Sequence, residues 1–328
     1  MILSIESSCD DSAIAITEIA TKKLLFHKKI SQDAEHSVYG GVVPELASRL
    51  HALALPRLLE SAREYLPDIK AVAVTNEPGL VVSLVEGVSM AKAIAVTLGI
   101  NMIAVNHLVG HIYSLFIEKE AEFPMDVLLV SGGHTQYMRV SGLGDIKVLA
   151  KTMDDSFGES FDKAAKMLGL GYPGGPIIEK YAIDGDESAY ELPIALQDNR
   201  AAFSYSGLKN AFRLCAEGAM PLDGQKTSNL AASFQKVAIG HLIFKIKQIV
   251  RDNPPKKLGI VGGAAANKRL RGELDILSNK YGFELLSPSM EFCSDNAAMI
   301  GRVAVEMFEK KMFKKYTDLD VASRANFN

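Results

Sequence analysis

Short runs of apolar residues, each followed by small or polar residues, recur along this chain. The most regular lies in Asp126–Val140, where the apolar residues Val127–Val130 lead directly into the turn Ser131–Gly133. Four consecutive apolar residues predict a strand buried on both faces, as in the centre of an α/β sheet. Ligands bind such sheets at strand ends, and glycines permit positive φ and the close approach of a ligand. An ordinary hairpin with a Gly-Gly turn explains this segment equally well.

The same pattern occurs twice more, which favours a ligand-binding role for these turns. Ile2–Ile16 is again a strand, a small polar turn and a strand, and Leu258–Leu270 runs from a strand through two glycines into a helix. Three such turns predict a duplicated α/β fold whose two lobes point their turns at a central cleft. This is the layout of the actin-like (ASKHA) superfamily, with its duplicated ribonuclease-H-like domains. We predict an N-terminal lobe of residues 1–115 plus 296–328 and a C-terminal lobe of residues 116–295.

Helical periodicity separates the predicted strands. Apolar residues at spacings of three and four predict helices, and Pro56 predicts a kink in the first of them. Residues 184–204 show weak periodicity and many polar side chains, so we expect an irregular segment there. The main predicted helices are Glu45–Tyr65, Ser83–Leu98, Asn106–Glu120, Glu159–Leu168, Ser206–Glu217, Thr227–Val250 and Ser294–Lys311.

Length, charge and cysteine content narrow the class of protein. The 328 residues suit two domains, and a net charge of −3 gives no general attraction for nucleic acid, so any RNA contact requires a local basic patch. Three scattered cysteines indicate a reducing compartment rather than a disulfide framework. The N-terminus begins with a predicted strand instead of a signal peptide, and no apolar run reaches the roughly 20 residues of a membrane helix. We therefore expect a soluble, cytoplasmic enzyme or binding protein.

A pair of histidines is the first candidate for chemistry. His107 and His111 are four residues apart, so on a helix both imidazoles lie on one face and can bind one metal ion. Asp295, at the start of the last long helix, offers a third donor; two histidines and a carboxylate bind Fe(II) or Zn(II) and leave positions open for substrate. Leu108 stands where a thermolysin-type protease needs glutamate. Two chance histidines and an N-cap aspartate explain the same residues equally well.

Other polar residues near the predicted turns admit both structural and chemical roles. Asp10 and Asp11 lie in the first turn, where adjacent carboxylates orient a nucleophile, bind Mg²⁺ or accept hydrogen bonds from the turn's own amides. Asp162 lies within a helix, where a solvated helix face is the simplest explanation. Asn267 follows the third turn, where it caps a helix or contacts a ribose or base. No Walker-type lysine follows these glycines, which excludes a P-loop.

Nine segments together resemble one family, in that family's order and spacing. The chain is similar to the bacterial-type tRNA N6-adenosine threonylcarbamoyltransferases, a family once described as O-sialoglycoprotein endopeptidases. The resemblance implies an actin-like two-lobe fold and transfer of the threonylcarbamoyl group from threonylcarbamoyl-adenylate to N6 of adenosine 37, in tRNAs that read codons beginning with A. The segments, which run from the first residues to the last long helix, are ESSCDDSAIAI, YGGVVPELASR, NHLVGH, LLVSGGHTQ, GESFDKAAKMLGL, YPGGP, FSYSGLKN, GGAAANKRLR and FCSDNAAMI.

The same resemblance implies roles for individual residues and partners. It implies one divalent metal ion, with Fe(II) favoured over Zn(II), bound by His107, His111 and Asp295, and it places the acidic residue Asp10 near the reaction centre. The implied partners are tRNA, an inactive paralogous subunit that pairs through the N-terminal lobe, and a small P-loop ATPase, on which activity is expected to depend. Substrate contacts are implied at Leu129, Val130, Ser131, Gly132, Gly133, Asp162, Gly175 and Asn267.

Functions of other classes stay open at this point. A metal-dependent hydrolase or protease is disfavoured by Leu108 in place of the catalytic glutamate. A non-enzymatic paralogue that only binds nucleotide is disfavoured because all three residues of the implied metal site are present. A kinase is compatible with the fold alone, since one fold hosts many activities.

Overall fold

The computed structural model describes residues 1–325, which form two compact units. The first unit consists of Met1–Glu122 and the chain from Pro288 onward, and the second of Phe123–Ser287. Each unit contains one β-sheet, with the helices that pack against it. The second unit is therefore a continuous segment inserted between two parts of the first.

The boundaries between the units differ by a few residues from the sequence-based division. Residues 116–122 and 288–295, which that division placed in the C-terminal lobe, belong to the first unit. The buried side chain of Arg302 explains part of this, because its Nε donates hydrogen bonds to the carbonyls of Phe116 (2.9 Å) and Lys119 (3.1 Å). Asp295 consequently lies in the same unit as His107 and His111.

Strands and helices alternate through most of the chain. In chain order the strands are β1 Ile2–Glu6, β2 Asp11–Thr17, β3 Leu24–Ser31, β4 Ala71–Glu77, β5 Asn101–Asn106, β6 Met125–Val130, β7 Thr135–Gly142, β8 Asp145–Thr152, β9 Ala202–Phe203, β10 Lys257–Val261 and β11 Glu284–Leu286. The α-helices are α1 Asp33–Ser37, α2 Pro44–Ser61, α3 Val81–Leu98, α4 His107–Tyr113, α5 Phe157–Met167, α6 Gly174–Ala182, α7 Ser206–Gly218, α8 Gly224–Val250, α9 Lys268–Tyr281 and α10 Ala297–Glu309.

The sheet of the first unit has the order β3-β2-β1-β4-β5. β1 lies at its centre, antiparallel to β2 and parallel to β4, and all five residues of β1 are buried. Ile5 is paired with Ile14 of β2 and Val74 of β4, so the end of β1 lies beside the end of β4. Since α4 directly follows β5 and a turn directly follows β1, both segments begin at the same edge of the sheet.

Two helices of the first unit are shorter than the sequence predicts. α2 ends at Ser61 and a 3₁₀-helix, Arg63–Asp68, completes the predicted Glu45–Tyr65. α4 ends at Tyr113 and continues only as a short 3₁₀-helix to Phe116, whereas the prediction ran to Glu120. Glu118, with a φ of 59°, is in the left-handed region, where an α-helix cannot continue.

α3 is the helix of residues 1–325 that is long and apolar enough to cross a membrane. Core helices of globular proteins pass the same test, so the observation is weak evidence for a membrane span. α3 packs against β4 and α2, and its residues Val88, Ala91 and Ile94 belong to the apolar core under the sheet. As predicted, it ends at Gly99, which takes a left-handed φ of 64°.

The sheet of the second unit has the order β11-β10-β6-β7-β8-β9. All six residues of β6 are buried, which confirms the buried strand predicted from its apolar run. Its one acidic residue, Asp126, accepts hydrogen bonds from the hydroxyl of Tyr137 (2.9 Å) and from Nε of Arg139 (2.8 Å). β10 is parallel to β6, so the glycine turns that follow these two strands lie next to each other.

The helices of the second unit bury one large apolar cluster against the sheet. Phe161 of α5 contacts Phe234 of α8 edge to face, with ring centroids 5.2 Å apart. The segment predicted to be irregular, residues 184–204, is irregular apart from the two residues of β9. Lys245, which is 1% exposed, fixes part of it by donating hydrogen bonds to the carbonyls of Asp198 (2.7 Å) and Arg200 (3.0 Å).

Candidate active site

The two histidines lie at the start of α4, where the local sequence fixes their positions. Asn106 caps the helix as predicted, because its side-chain oxygen accepts hydrogen bonds from the backbone N–H groups of Leu108 (2.9 Å) and Val109 (3.2 Å). His107 and His111 then lie one turn apart, with ring centroids 4.6 Å from each other. Their exposed fractions are 7% and 0%, so both imidazoles are removed from bulk water.

Asp295 joins the two histidines from a distant part of the chain. Its Oδ1 lies 3.1 Å from Nε2 of His111 and 3.4 Å from Nε2 of His107. Its explanation as the N-cap of the last helix is wrong, because Asn296 caps α10 by accepting a hydrogen bond from the N–H of Met299 (2.8 Å). The carboxylate of Asp295 is therefore free of a capping role and points at the imidazoles.

The spacing of these atoms fits a metal ion. One ligand atom from each of the three residues lies within 4.8 Å of the others. Ligand atoms bound at about 2.0–2.1 Å to one ion are about 2.8–3.4 Å apart when they are neighbours in an octahedron or tetrahedron. Neither nitrogen of the buried His111 makes a hydrogen bond within residues 1–325, although Oδ1 of Asp295 is close to Nε2. A cation between these atoms would satisfy a nitrogen that is otherwise left without a partner.

Glu6, which the sequence analysis did not connect with the site, supports His107 from behind. Its Oε2 lies 3.2 Å from Nδ1 of His107 and accepts a hydrogen bond from the hydroxyl of Thr75 (2.5 Å). Its Oε1 accepts from the N–H of Ser8 (2.6 Å), and Ser8 Oγ is 3.1 Å from the same imidazole nitrogen. A carboxylate behind an imidazole fixes the ring and leaves the other nitrogen for a metal. The feature of the sequence that could have identified Glu6 is an acidic residue at the end of an otherwise largely apolar, buried strand.

The electrostatics of the site favour bound positive charge. Burial alone would lower the pKa of His107, but the carboxylates of Asp295 and Glu6 outweigh it and raise that pKa well above its usual value. Burial would raise the pKa of Asp295, yet His107 and His111 hold it well below its usual value. Burial likewise opposes ionisation of Glu6, and the charge of His107 outweighs this to lower its pKa. The same carboxylates attract a proton or a metal cation.

The turn after β1 is held by hydrogen bonds from several elements. The carbonyl of Ser8 accepts from the N–H of Leu80 (2.8 Å), and that of Cys9 from Nε2 of His51 (2.9 Å). The carbonyl of Asp10 accepts from the N–H of Gln32 (3.2 Å). These contacts leave the side chain of Asp10 half-buried, where burial and the charge of Asp295 raise the pKa of its carboxyl.

The adjacent acid, Asp11, has a different environment. Its carboxylate accepts a hydrogen bond from Lys29 (2.8 Å), and the same ammonium donates to the hydroxyl of Ser294 (2.9 Å). Burial raises the pKa of Asp11 to about 7 in spite of Lys29. Asp10 and Asp11 are thus not equivalent, since only Asp11 is tied to a cationic side chain in an ion pair of the described chain.

In the second unit, the turn after β6 is open to solvent at its glycines. The N–H of Ser131 donates to the carbonyl of His134 (2.8 Å), which closes the hairpin to β7. Neither Gly132 nor Gly133 takes the positive φ that glycine permits, and a Cβ on either would meet nothing within 4 Å. The preceding strand residues Leu129 and Val130 are fully buried. The glycines therefore leave empty space beside an exposed backbone.

Two other glycines are required because backbone approaches this turn closely. A Cβ on Gly158, at the start of α5, would lie 2.6 Å from the carbonyl oxygen of Ser131. Gly262, after β10, has a φ of 93°, and a Cβ there would lie 2.4 Å from the carbonyl oxygen of Val130. The turn after β10 thus has the positive φ that the turn after β6 lacks. These contacts bring the ends of β6 and β10 and the start of α5 together.

The remaining predicted substrate contacts lie on helices around this turn. Asp162 of α5 accepts a hydrogen bond from the N–H of Gly174 (2.7 Å) at the start of α6, where Gly175 follows. Asn267 caps α9 by accepting from the N–H of Leu270 (2.9 Å) and donates to the side chain of Gln235 (2.9 Å). Asp162 is therefore part of a helix-to-helix contact rather than a purely solvated face.

Sequence comparison identifies relatives along the whole chain. A family model described as tRNA N6-adenosine threonylcarbamoyltransferase matches residues 23–302. The protein with this name from Sulfurimonas denitrificans is 61% identical over 326 residues, covering 99% of both chains. That from Nautilia profundicola is 60% identical over 329 residues, covering 100% of this chain and 99% of the relative.

Similar solved structures extend the comparison to the fold. Full-length HypF in a phosphate- and nucleotide-bound form matches with a TM-score of 0.62 at 16% identity, over 94% of this chain and 46% of that protein. Component A of (R)-2-hydroxyglutaryl-CoA dehydratase from Acidaminococcus fermentans matches with a TM-score of 0.54 at 13% identity, over 95% and 98% of the two chains. These matches confirm the actin-like fold. The sequence relatives confirm the transferase resemblance, and the chain belongs to the tRNA N6-adenosine threonylcarbamoyltransferase family.

Proposed function

We propose that this chain transfers the threonylcarbamoyl group of threonylcarbamoyl-adenylate to N6 of adenosine 37 in tRNAs that read codons beginning with A. Family membership supports the reaction type and the tRNA substrate. The observation that carries the residue assignment is the convergence of His107, His111 and Asp295. In the reaction a bond forms between N6 and the carbamoyl carbon, the bond from that carbon to the adenylate oxygen breaks, and N6 loses one proton.

The first unit supplies the metal ligands and a proton acceptor. His107, His111 and Asp295 would hold one divalent ion; this donor set suits Fe(II) or Zn(II), and the family resemblance favours Fe(II). A bound ion would supply polarisation of the carbamoyl carbonyl and neutralisation of carboxylate charge on the donor. Asp10 would accept the proton that leaves N6, because burial and Asp295 raise the pKa of its carboxyl toward the working pH.

The second unit supplies a site for the nucleotide part of the donor. The empty space beside Gly132 and Gly133 admits a phosphate close to the exposed backbone of the turn. The carboxylate of Asp162 and the amide of Asn267 lie on neighbouring elements and suit ribose hydroxyls or a base edge. Gly175, the second residue of α6, leaves open space at a helix N-terminus, where N–H groups attract anions.

A metal-dependent hydrolase or protease was the alternative function. Such a site needs a glutamate next to the first histidine as general base. In this chain that position is Leu108, which is 1% exposed and packed inside the unit, so it cannot activate water. The names of the relatives likewise describe a transferase. The alternative is therefore not supported.

Replacement of one ligand tests the metal assignment. His111→Ala should lose bound metal and tRNA modification together, while thermal unfolding still shows a folded protein. Metal content of the reconstituted protein, by elemental analysis, is the first measurement, and it also identifies the ion. His27→Ala, in the same unit and with a ring contact only to Phe292 among the described residues, is the matched control. Full metal stoichiometry in His111→Ala would show that the ligand assignment is incorrect.

We also propose where the paralogous subunit binds. α2 and α3 line an apolar groove of about 460 Å³ on the first unit, with Leu55, Leu59, Met90 and Ile94 among its residues. Large apolar side chains nearby on these helices are exposed, among them Leu53, at 60%. An exposed apolar surface of this kind is typical of a protein interface. A small P-loop ATPase and a cytoplasmic location stay predictions from the family resemblance.

The groove is tested by placing a charge in it. Ala93→Arg should abolish pairing with the paralogous subunit in size-exclusion chromatography, because an unpaired guanidinium is buried on association. Modification of tRNA at physiological salt should fall with it, while metal content is unchanged. Ser61→Arg adds the same charge at the end of α2, outside the groove residues. Equal pairing of the two variants with the subunit would place the interface elsewhere.

A further inference from the structure

The segment between α1 and α2, residues 38–43, presents apolar side chains to solvent. We call it the Tyr39 loop. Val38 is 78% exposed and Tyr39 61% exposed. Within residues 1–325 the ring of Tyr39 makes no hydrogen bond or ring contact, and only its backbone N–H is bonded, to the carbonyl of His36 (3.0 Å). Two adjacent apolar side chains on one exposed loop form a small surface that a binding partner can cover.

The loop is held firmly at both ends. His36 is fully buried, and its Nδ1 accepts a hydrogen bond from the N–H of Val43 (3.2 Å) across the loop. Its Nε2 therefore carries the proton and donates to the side-chain oxygen of Gln32 (3.1 Å). Gln32 in turn donates from its amide to the carbonyl of Ala47 (3.4 Å) in α2. The ring of Tyr39 is thus displayed from an anchored loop, which limits the entropy lost when something binds it.

The same anchor connects the loop to the candidate reaction centre. The backbone N–H of Gln32 donates to the carbonyl of Asp10 (3.2 Å). Asp33, the first residue of α1, follows Gln32 directly, so α1 begins beside the turn that carries Asp10. Lys29 links the neighbouring Asp11 (2.8 Å) to the hydroxyl of Ser294 (2.9 Å), the residue before Asp295. The Tyr39 loop therefore borders the part of the first unit where the proposed proton acceptor and metal ligands lie.

We propose that Tyr39 is a base-stacking residue for the tRNA substrate. This inference rests on the proposed function, in which an adenosine of a tRNA presents N6 for reaction. A base in a helical stack must leave its neighbours to enter an active site, and proteins hold such bases against aromatic rings. The ring of Tyr39 receives a base of the strand that carries the reacting adenosine and holds that strand beside Asp10. Tyr39 is a positioning residue, since it takes no part in bond making.

Stacking has a direct optical test, because this chain contains no tryptophan. In full-length Tyr39→Trp the new indole is the only one, and stacking on a base quenches its fluorescence. Titration with an anticodon stem-loop RNA should quench it strongly and saturably. Tyr316→Trp is the matched control, since Tyr316 is 53% exposed in the same unit. Tyr316 lies two residues after Lys314, which pairs with Met102 at the start of β5. Met102 is about 16 Å along the strand from His107, so the control position is away from the candidate site. Equal quenching in both variants, or in neither, would overturn the proposal.

Kinetics with the partner subunits present give a second test. Tyr39→Ala should lower kcat/KM for tRNA by roughly 5- to 100-fold, the usual effect of losing one stacked base, mainly through KM. Tyr39→Phe should retain most of the activity, because the ring is kept and only the hydroxyl is lost. Metal content and binding of the adenylate donor should be unchanged in both. If Tyr39→Ala is as active as the protein without a substitution, the stacking role is refuted.

Two further outcomes separate this inference from its alternatives. If the unmodified chain with its partners fails to modify tRNA, the proposed function has failed, and the fluorescence titration still decides whether Tyr39 meets RNA. The second outcome is that Tyr39→Ala no longer pairs with the paralogous subunit and the fluorescence of Tyr39→Trp does not change when RNA is added. In that case the loop is a protein contact and the stacking proposal is overturned.

Discussion

The proposed metal site of the first unit and the glycine turn of the second unit are built by opposite means. At the proposed metal site, side chains converge, and Glu6, Ser8 and Thr75 fix them from behind by hydrogen bonds. At the glycine turn the working surface is backbone, and side chains are absent at Gly132 and Gly133. The first site depends on the side chains that hold its ligands in place, while the second depends on the absence of side chains at its two glycines. Substitutions should therefore act differently at the two sites.

The largest effect is expected at the glycine turn. Gly133→Val should weaken binding of the adenylate donor by roughly 30- to 100-fold, the equivalent of about 2–3 kcal/mol for overfilling a fitted site. Because a Cβ at Gly133 meets nothing within 4 Å and φ is not positive there, the free protein should keep its thermal stability. Isothermal titration calorimetry measures the affinity. Gly142→Val, at the far end of β7 and equally open, is the control. Unchanged affinity in Gly133→Val would remove the turn from the donor site.

The second largest effect is expected at Glu6, which contacts the proposed metal ligand His107. Glu6→Gln should lower metal affinity by about 10- to 100-fold, because the amide fixes the orientation and tautomer of His107 less well. Competition with a chromogenic chelator gives the affinity without any activity assay. Glu86→Gln makes the same chemical change on α3, where the carboxylate accepts a hydrogen bond from the hydroxyl of Ser48 (2.8 Å), and should leave metal binding unaltered. Equal affinities in both variants would leave Glu6 a purely structural role.

The smallest effect is expected at Asn267, where a structural and a binding role overlap. Asn267→Ala removes the cap of α9 and the bond to Gln235, and should lower the free energy of unfolding by about 1 kcal/mol. Asn267→Asp keeps the cap, so thermal unfolding should separate the two variants. Should Asn267→Asp keep both stability and donor affinity, the side chain acts only as a cap and a direct substrate contact is excluded.

The sequence predicts those parts of the fold that local pattern determines. The apolar run of β6 and the glycine ends of β10 and α3 are correct because burial and backbone handedness act on neighbouring residues. The predicted end of α4 was wrong because the chain turns at Glu118, and the carbonyl of Phe116 binds Arg302, which is 186 residues away in the sequence. The sequence could not show whether the two glycines of the β6 turn provide space or a positive φ, because glycine serves both purposes; the structure shows open space without a positive φ.

The candidate site divides in the same way. The spacing of His107 and His111 predicts their common face, since one helix determines it. The roles of Asp295 and Glu6 could be recognised only in the folded chain. Asp295 looks like a helix cap until Asn296 is seen to take that role, and Glu6 looks like the last residue of a strand. The partners of a buried carboxylate lie on other elements, so its function is a tertiary property.

The insertion of the second unit into the first has a consequence for synthesis on the ribosome. The second unit is continuous from Phe123 to Ser287, so it is complete before the chain reaches α10. The first unit lacks α10, which packs against β1, β2 and α4, until nearly the whole chain has been translated. His107 and His111 therefore emerge some 180 residues before Asp295 can join them. A metal ion can therefore be bound by all three proposed ligands only after Asp295 has been translated.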